Sequence, residues 1–312
     1  MSELDRYRWL REQLARDKFA GMAARITGDT FHVVPGSSAT HMTYAKSIRR
    51  NVSTTVAGAL EKCVDGRGDA IVLWPGDHTV STASLAMSKA SVRIFGAEEW
   101  LGVGRPGLKP SATLTTDIAA DQIMNVTAAD CGIYGVTIIP ITAADAIDLS
   151  AAADRFVLQN CFVDMFTPVV NIATVGITLA AADDLLIDGC TFVSDGAQGN
   201  AIVATGAIRS RIKNCLIYNT AGTWASAILC GAATTGLFIE GNYITSYGTA
   251  LTAGVNGTGA TIAKGVQCTN NRFGSLVTVP IDNFDAGECE LSENYDSGIG
   301  ATDGGVLIVA IT

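Results

Sequence analysis

Ile133–Ile138 (IYGVTI), Leu158–Val163 (LQNCFV), Ile187–Phe192 (IDGCTF), Ile212–Ile217 (IKNCLI), Ile239–Ile244 (IEGNYI) and Cys268–Phe273 (CTNNRF) are six versions of one phrase, with a weaker seventh from Leu291 to Asp296. Each has an apolar residue, two polar or Gly positions, a small core-compatible residue, a variable position and a second apolar residue. The starts are separated by 25, 29, 25, 27, 29 and 23 residues. A period of this size marks a solenoid, whose units bury their apolar faces only against one another. The step is too short for paired helices. Apolar and polar residues alternate within the phrase, and Val, Ile, Phe and Thr are frequent, so the elements are strands.

A second apolar run recurs between phrases, at Ala146–Leu149, Val175–Leu179, Ala201–Val203, Ala227–Leu229 and Val279–Ile281. Two or three short strands per turn, joined at Gly, Asn and Asp, describe an all-β parallel β-helix. Equivalent residues of successive coils then stand about 4.8 Å apart, so every column becomes a ladder. The fourth phrase position reads Val136, Cys161, Cys190, Cys215, Asn242, Asn271 and Asn294, which predicts a cysteine stack continued by an asparagine stack. Zinc needs tetrahedral convergence that a straight column does not supply. The cysteines therefore read as small core residues and the asparagines as mutually bonded amides, with no metal or other cofactor implied.

The repeat resembles the right-handed parallel β-helix of the pectate-lyase-like superfamily, shared by polysaccharide lyases, polygalacturonase-type hydrolases and phage tailspikes. Upstream segments carry the same resemblance. Val52–Cys63 is similar to the helix that caps such solenoids, Ala70–Ser81 (AIVLWPGDHTVS) to the strand, Pro-Gly turn and strand that open them, and Ser91–Ala97 (SVRIFGA) to a first full coil.

Three regions follow. Residues 1–50 form an arm and linker, 51–296 the β-helix with its capping helix, and 297–312 an apolar C-terminal strand. In the arm, Leu4, Tyr7, Leu10 and Leu14 lie on or beside one face of a predicted helix, a docking surface for a partner or for the body itself. Residues 26–51 have no clear period and read as a linker. The stretch Glu99–Pro110 reads as a loop, with Trp100 as a possible platform for a ligand. The longest connections expected within the coils are Ser194–Asn200, Asn219–Ser226 and Tyr247–Gly259. The apolar run in Gly304–Thr312 (GGVLIVAIT) must close the last coil or pair with another subunit, because such a segment left exposed invites aggregation.

The 312-residue chain is 48% hydrophobic and contains 33 glycines, with a mean hydropathy of +0.30. It is long enough for a large core. Its eight cysteines do not suggest a disulfide scaffold at this length. The formal charge is −9; the first 50 residues hold nine Lys or Arg against five Asp or Glu, a balance of +4 that leaves −13 on the rest. An acidic body is a poor ligand for nucleic acid. No run is long enough to span a bilayer as a helix. Residues 1–25 carry charge throughout without an apolar core, so the expectation is synthesis in a host cytoplasm without export.

Chemistry is sparse in the pattern. At the second phrase position, expected to face solvent, stand Tyr134, Gln159, Asp188, Lys213, Glu240, Thr269 and Ser292. Asp188 and Glu240 are two coils, roughly 9.6 Å, apart, close to the separation of an inverting glycosidase pair. Lys213 between them equally suits ordinary cross-strand charge pairing. Arg211 and Arg272 match a lyase base by type alone. Asp183-Asp184 reads as a turn. His32, His41 and His78 precede the regular coils and have no triad partners at a recognisable spacing.

The expectation is a noncatalytic structural protein of a phage-like particle, a homotrimeric capsid decoration or cement protein anchored to a capsid or tail protein by its arm. The alternatives are a carbohydrate-active enzyme or tailspike depolymerase using Asp188, Lys213 and Glu240, and a glycan-binding module.

Overall fold

The computed structural model describes residues 26–296, excepting 36–50, 82, 101–107, 117–121, 141–143, 166–174, 196–198, 223, 232, 248–250, 258–264, 275–276, 283 and 285–289. One coil serves for all. Leu186–Asp188 lies in a first sheet (A), a tight turn leads to Thr191–Ser194 in a second (B), Asn200–Ala204 lies in a third (C), and Arg211–Lys213 re-enters sheet A one level further on. Repetition gives three parallel sheets of eleven, nine and eight strands, each strand paired with its equivalents in the coils before and after. The molecule is thus a parallel β-solenoid.

The alternation in the phrase places its two apolar residues inside. Ile187, Ile212 and Ile239 point inward from sheet A, Phe192, Ile217 and Ile244 from sheet B, and Ile202, Ile228 and Val255 from sheet C, all at most 1% exposed. Each such side chain contributes about 1.5–3 kcal/mol on leaving water. Register is kept by the pattern, since a one-residue slip would turn every Ile outward.

The third phrase position supplies the turn from sheet A to sheet B. Gly135, Asn160, Gly189, Asn214, Gly241, Asn270 and Glu293 all have φ between 53° and 64°. Gly adopts this left-handed conformation without a Cβ penalty, and Asn tolerates it better than most residues. The N–H groups of the first six donate to the carbonyl one coil ahead, as from Asn160 to Asp188 at 3.0 Å and from Gly189 to Lys213 at 3.1 Å. The turns therefore stack as the strands do.

At the N-terminal end, α1 (Val56–Lys62) starts at the N-cap Thr55, whose hydroxyl accepts from the Gly58 N–H at 3.1 Å. It buries Val56, Ala59 and Leu60 against the solenoid core. Lys89 Nζ donates to the carbonyls of Leu60, Glu61 and Cys63 at 3.0, 2.7 and 2.6 Å, placing a cation on the helix C-terminus.

Four expectations need correction. Thr30–Val33, expected in a linker, is a strand of sheet A between Val52–Ser53 and Ala70–Leu73; Phe31 and Val33 are buried, so this short run is core. Val52–Ser53 is itself a strand, and the capping helix begins only at Val56. The expected loop at Glu99–Pro110 begins inside a short helix, α2 (Ala97–Trp100). Most of the expected loop at Tyr247–Gly259 is a seven-residue strand of sheet C, Leu251–Gly257; its small residues pack rather than bend, with Ala253, Gly254 and Val255 buried. The arm residues Leu4, Tyr7, Leu10 and Leu14, His41, and the C-terminal residues 297–312 lie outside the described residues.

Candidate functional site

The fourth-position column is a continuous internal ladder. Cys161, Cys190, Cys215, Asn242, Asn271 and Asn294 are all 2% exposed or less. Asn242 Nδ2 donates to Ile212 O at 3.0 Å, Asn271 Nδ2 to Ile239 O at 2.8 Å, and Asn294 Nδ2 to Cys268 O at 2.6 Å. Each acceptor opens the phrase one coil earlier. Two of the cysteines use the same place: the Cys161 thiol faces Ile133 O at 3.6 Å and the Cys190 thiol Leu158 O at 3.4 Å, while the Cys215 thiol donates to Lys213 O at 3.2 Å. Thiol and amide are alternative donors to one recurring carbonyl, which explains why the column changes from Cys to Asn without disturbing the coil. Burial, with the two flanking thiols, holds the Cys190 thiol well above its usual range. The seven described cysteines are buried, and the described residues contain no group of three or more His, Cys, Asp or Glu suited to a metal ion.

Asp188, Lys213 and Glu240 fall in register on the outer face of sheet A, as their spacing predicts. Asp188 Oδ2 is 3.6 Å from Lys213 Nζ and accepts from Gln159 Nε2 at 3.4 Å, while Oδ1 accepts from Asn214 Nδ2 at 2.9 Å. Both of its oxygens are engaged by the coils on either side. Tyr134, expected to face solvent in the same row, is 4% exposed. It stacks on Phe95, centroids 4.8 Å apart, in a small cluster outside the main core with Ala70, Ile26 and Val157.

The turns from sheet C to sheet A hold a second charge ladder. Asp130 and Arg155 form a two-pronged pair at 2.7 and 2.9 Å one coil apart, and Arg209 spans Asp183 and Asp184 at 2.8 and 3.0 Å. Arg155 holds the Asp130 carboxyl, and Arg209 that of Asp184, below the usual carboxylate range. Asp184 has φ 59°, so the Asp183-Asp184 turn reading holds, with ion pairing added.

Two outer features went unread in the sequence. On sheet C, Asn125, Asp148 and Thr178 occupy one row. Thr178 Oγ1 donates to Asp145 Oδ2 at 2.6 Å, and burial followed by the charge of Asp145 raises the Asp148 carboxyl pKa. The sequence signal was the interval Asp145–Asp148 ahead of a sheet C strand, outside the repeated phrase. On sheet B, Tyr218 and Tyr247 meet edge to face at 5.8 Å, beside exposed Tyr243 and Tyr295. Arg211 instead lies over the Phe238 ring at 5.2 Å on sheet A. Arg272 is exposed on sheet B between Tyr243 and Tyr295. His78 is buried with its Nε2 2.8 Å from Trp74 O, while Trp74 Nε1 donates to His32 Nδ1 at 3.4 Å.

No protein-family model matches the chain, and no curated protein matches it. Among solved structures it is similar to a pectin methylesterase in complex with hexasaccharide VII, with a TM-score of 0.57 and 11% identity over 88% of this chain and 91% of that one. It is also similar to the pectin methylesterase PemA from Erwinia chrysanthemi, with a TM-score of 0.51 and 9% identity over 88% and 91%. A mutant of the PL6 family alginate lyase AlyGC gives a TM-score of 0.51 and 13% identity over 86% of this chain and 40% of that one. At these identities the likeness concerns architecture: the chain has the parallel β-helix fold that these enzymes share.

Proposed function

We propose that the protein is a noncatalytic structural component of a phage-like particle, a homotrimeric decoration or cement protein carried on the particle surface and anchored by residues 1–50. The observation that supports this reading is the use made of the reactive-looking side chains. Asp188, Asp130, Asp183 and Asp184 are each bonded to a cation in the next coil, and the cysteines and asparagines are bonded to neighbouring coils inside. These groups tie one coil to the next and stiffen a rod. The arm carries a balance of +4 against −13 on the remainder, which suits attachment of an acidic rod to a surface of different charge. Immunogold labelling of intact particles from a producing lysate tests the assignment. Label on particle surfaces is expected; label confined to the particle-free fraction would overturn it.

A second reading, a polysaccharide-active or glycan-binding protein, is favoured by Asp148 on sheet C and Asp145 just ahead of the same strand. Two carboxyls whose surroundings push one of them toward the protonated form are a starting point for acid–base chemistry, and the similar solved structures include pectin methylesterases and an alginate lyase. Pectin, polygalacturonate and alginate assayed for released methanol, reducing ends and unsaturated uronate separate the two. Turnover abolished by Asp148→Ala, Asp188→Ala or Glu240→Ala would favour the enzyme; no turnover is the expected result.

A further inference from the structure

We propose that the column of Cys161, Cys190 and Cys215 is a binding site for soft monovalent cations of the copper group, each held in line between the sulfurs of two consecutive coils. The inference concerns the interior of the β-helix and stands independently of the particle reading above.

The three thiols occupy equivalent positions. They precede the paired strands Phe162–Asp164, Thr191–Ser194 and Leu216–Asn219. The backbone carries the register through them, since the Thr191 N–H donates to Cys161 O and the Leu216 N–H to Cys190 O, both at 2.9 Å. Each sulfur makes the same local contact, to the carbonyl two residues earlier: Cys161 to Gln159 O at 3.4 Å, Cys190 to Asp188 O at 3.5 Å and Cys215 to Lys213 O at 3.2 Å. Side chains that share one register and one carbonyl contact point the same way, so their sulfurs are separated by the strand spacing, about 4.8 Å.

That separation selects the chemistry. A disulfide needs its sulfurs about 2.05 Å apart, and parallel side chains held a full coil apart do not close to it. Zinc needs four donors converging as a tetrahedron, whereas a column offers two, one above and one below. A metal–thiolate bond of about 2.3 Å, doubled, spans about 4.6 Å, which matches the gap between neighbouring sulfurs. Closed-shell copper(I) and silver(I) accept two sulfurs in line and prefer thiolate to oxygen donors. The straightness that excludes zinc suits them.

Burial selects the charge. The three cysteines are 2% exposed or less and belong to the main apolar core, where an uncompensated charge is costly. A monovalent ion that replaces the proton of one thiol and takes a lone pair from the next leaves a neutral unit, with one proton released to solvent. A hard divalent ion needs further donors, and among the described residues no group of three or more His, Cys, Asp or Glu supplies them.

Three sulfurs make two gaps that share Cys190. The column is bounded by Val136, whose side chain has no donor atom, and by Asn242, whose Oδ1 already accepts from the Cys215 N–H at 2.9 Å. Capacity is therefore two ions, with two protons released. Asn242 Nδ2 bonds to the coil on either side, while thiols are weak donors. Ions in the cysteine levels supply the joint between coils that the amides supply further along.

Silver(I) in chloride-free buffer and copper(I) under anaerobic conditions are the probes. The folded full chain is incubated with either ion and dialysed against excess free methionine, and its metal is counted. It is expected to retain two ions more than Cys190→Val, whereas Cys161→Val and Cys215→Val each retain one more. Valine already fills this column at Val136, and circular dichroism checks that the variants fold; Cys190→Ser replaces Cys190→Val if it does not. X-ray absorption is expected to show two sulfurs at about 2.3 Å around each ion. Zinc(II) is expected to give equal counts in the full chain and Cys190→Val. Equal counts of silver in those two proteins, both after incubation and after refolding with the ion present, overturn the proposal. So does a shell containing nitrogen, oxygen or a third sulfur. A loss of only one ion in Cys190→Val also overturns it, because the in-line geometry requires that sulfur in both gaps.

Discussion

Asn242 Nδ2 lies 2.9 Å from Asn271 Oδ1, and the same oxygen accepts from the Asn242 backbone N–H at 3.0 Å. One coil on, Asn294 Oδ1 receives the matching pair from Asn271 at 3.0 and 3.1 Å. With Nδ2 also serving a carbonyl one coil back, each amide joins three successive levels of the stack. Removing the side chain of Asn271 strands two buried groups of the coil before it, the Asn242 N–H and the Ile239 carbonyl. Asn271→Ala should therefore cost about 3 kcal/mol, read from denaturant unfolding of the full chain.

The shared carbonyl makes a sharper prediction. Because a thiol occupies the same place in the coils of Cys161 and Cys190, Asn242→Cys should cost about half as much as Asn242→Val, on the order of 1 against 2–3 kcal/mol. Equal costs would mean that thiol and amide do not fill one role.

The A-to-B turns predict an asymmetry between Gly and Asn at equivalent positions. Gly189 has φ 64°, and an added Cβ would stand 2.7 Å from Asn160 Oδ1. Gly189→Ala should thus lose about 1–2 kcal/mol from the backbone conformation alone. Asn214→Gly, at φ 54°, should change stability far less, since the new residue accepts that conformation freely. Comparable losses from the two in thermal melts would contradict the stacked-turn account.

Acid should loosen the N-terminal end and the charged turns. Asp69 is fully buried; burial alone would raise its pKa, but Arg67 and the N–H groups of Val64 and Asp29 outweigh that and hold it below 3.8. Asp130 and Asp184 are lowered in the same direction by their arginines. A folded pKa below the unfolded one gives stability that is present above the unfolded value and lost as pH falls through the folded value. Melting temperature should hold from neutral pH down to about 5 and then fall toward pH 2, and Asp69→Asn should flatten that fall. An unchanged acid profile in Asp69→Asn would remove Asp69 from the explanation.

Asp148 has the opposite sign. Its folded pKa is raised by burial and by Asp145, so its ionisation disfavours the folded state at neutral pH and ceases to do so below the unfolded pKa. Asp148→Asn should raise the melting temperature slightly at pH 7, and the gain should vanish near pH 3. A gain that is the same at both pH values would point to packing instead of charge.

The internal column was legible in the sequence because every coil repeats it under one constraint, a small donor beside a fixed carbonyl. The turn column stood in the same phrase at Gly135, Asn160, Gly189 and Asn214, but a Gly or Asn looks merely polar until φ is known. Tyr134 was misplaced because its row is open only from Gln159 onward; near Phe95 and Ile26 it is covered by chain from outside the repeat. Thr30–Val33 escaped for a related reason: a single strand added to the end of a sheet has no copy with which to establish a period. The tyrosines of sheet B and the Asp145–Asp148 pair stand in variable positions, where neighbouring coils carry different residues, and only register brings them together.

The donor column and the stacked turns bind each coil to the ones directly before and after it, with the same joint at every level. Excising residues 187–211, one whole repeat, would set Ile212 where Ile187 had stood and leave the Asn160 turn facing the Asn214 turn. The rod would be about 4.8 Å shorter and would lose the pairing of Arg209 with Asp183 and Asp184. Gain or loss of whole repeats therefore changes the length of the rod while the joint between neighbouring coils stays of the same kind.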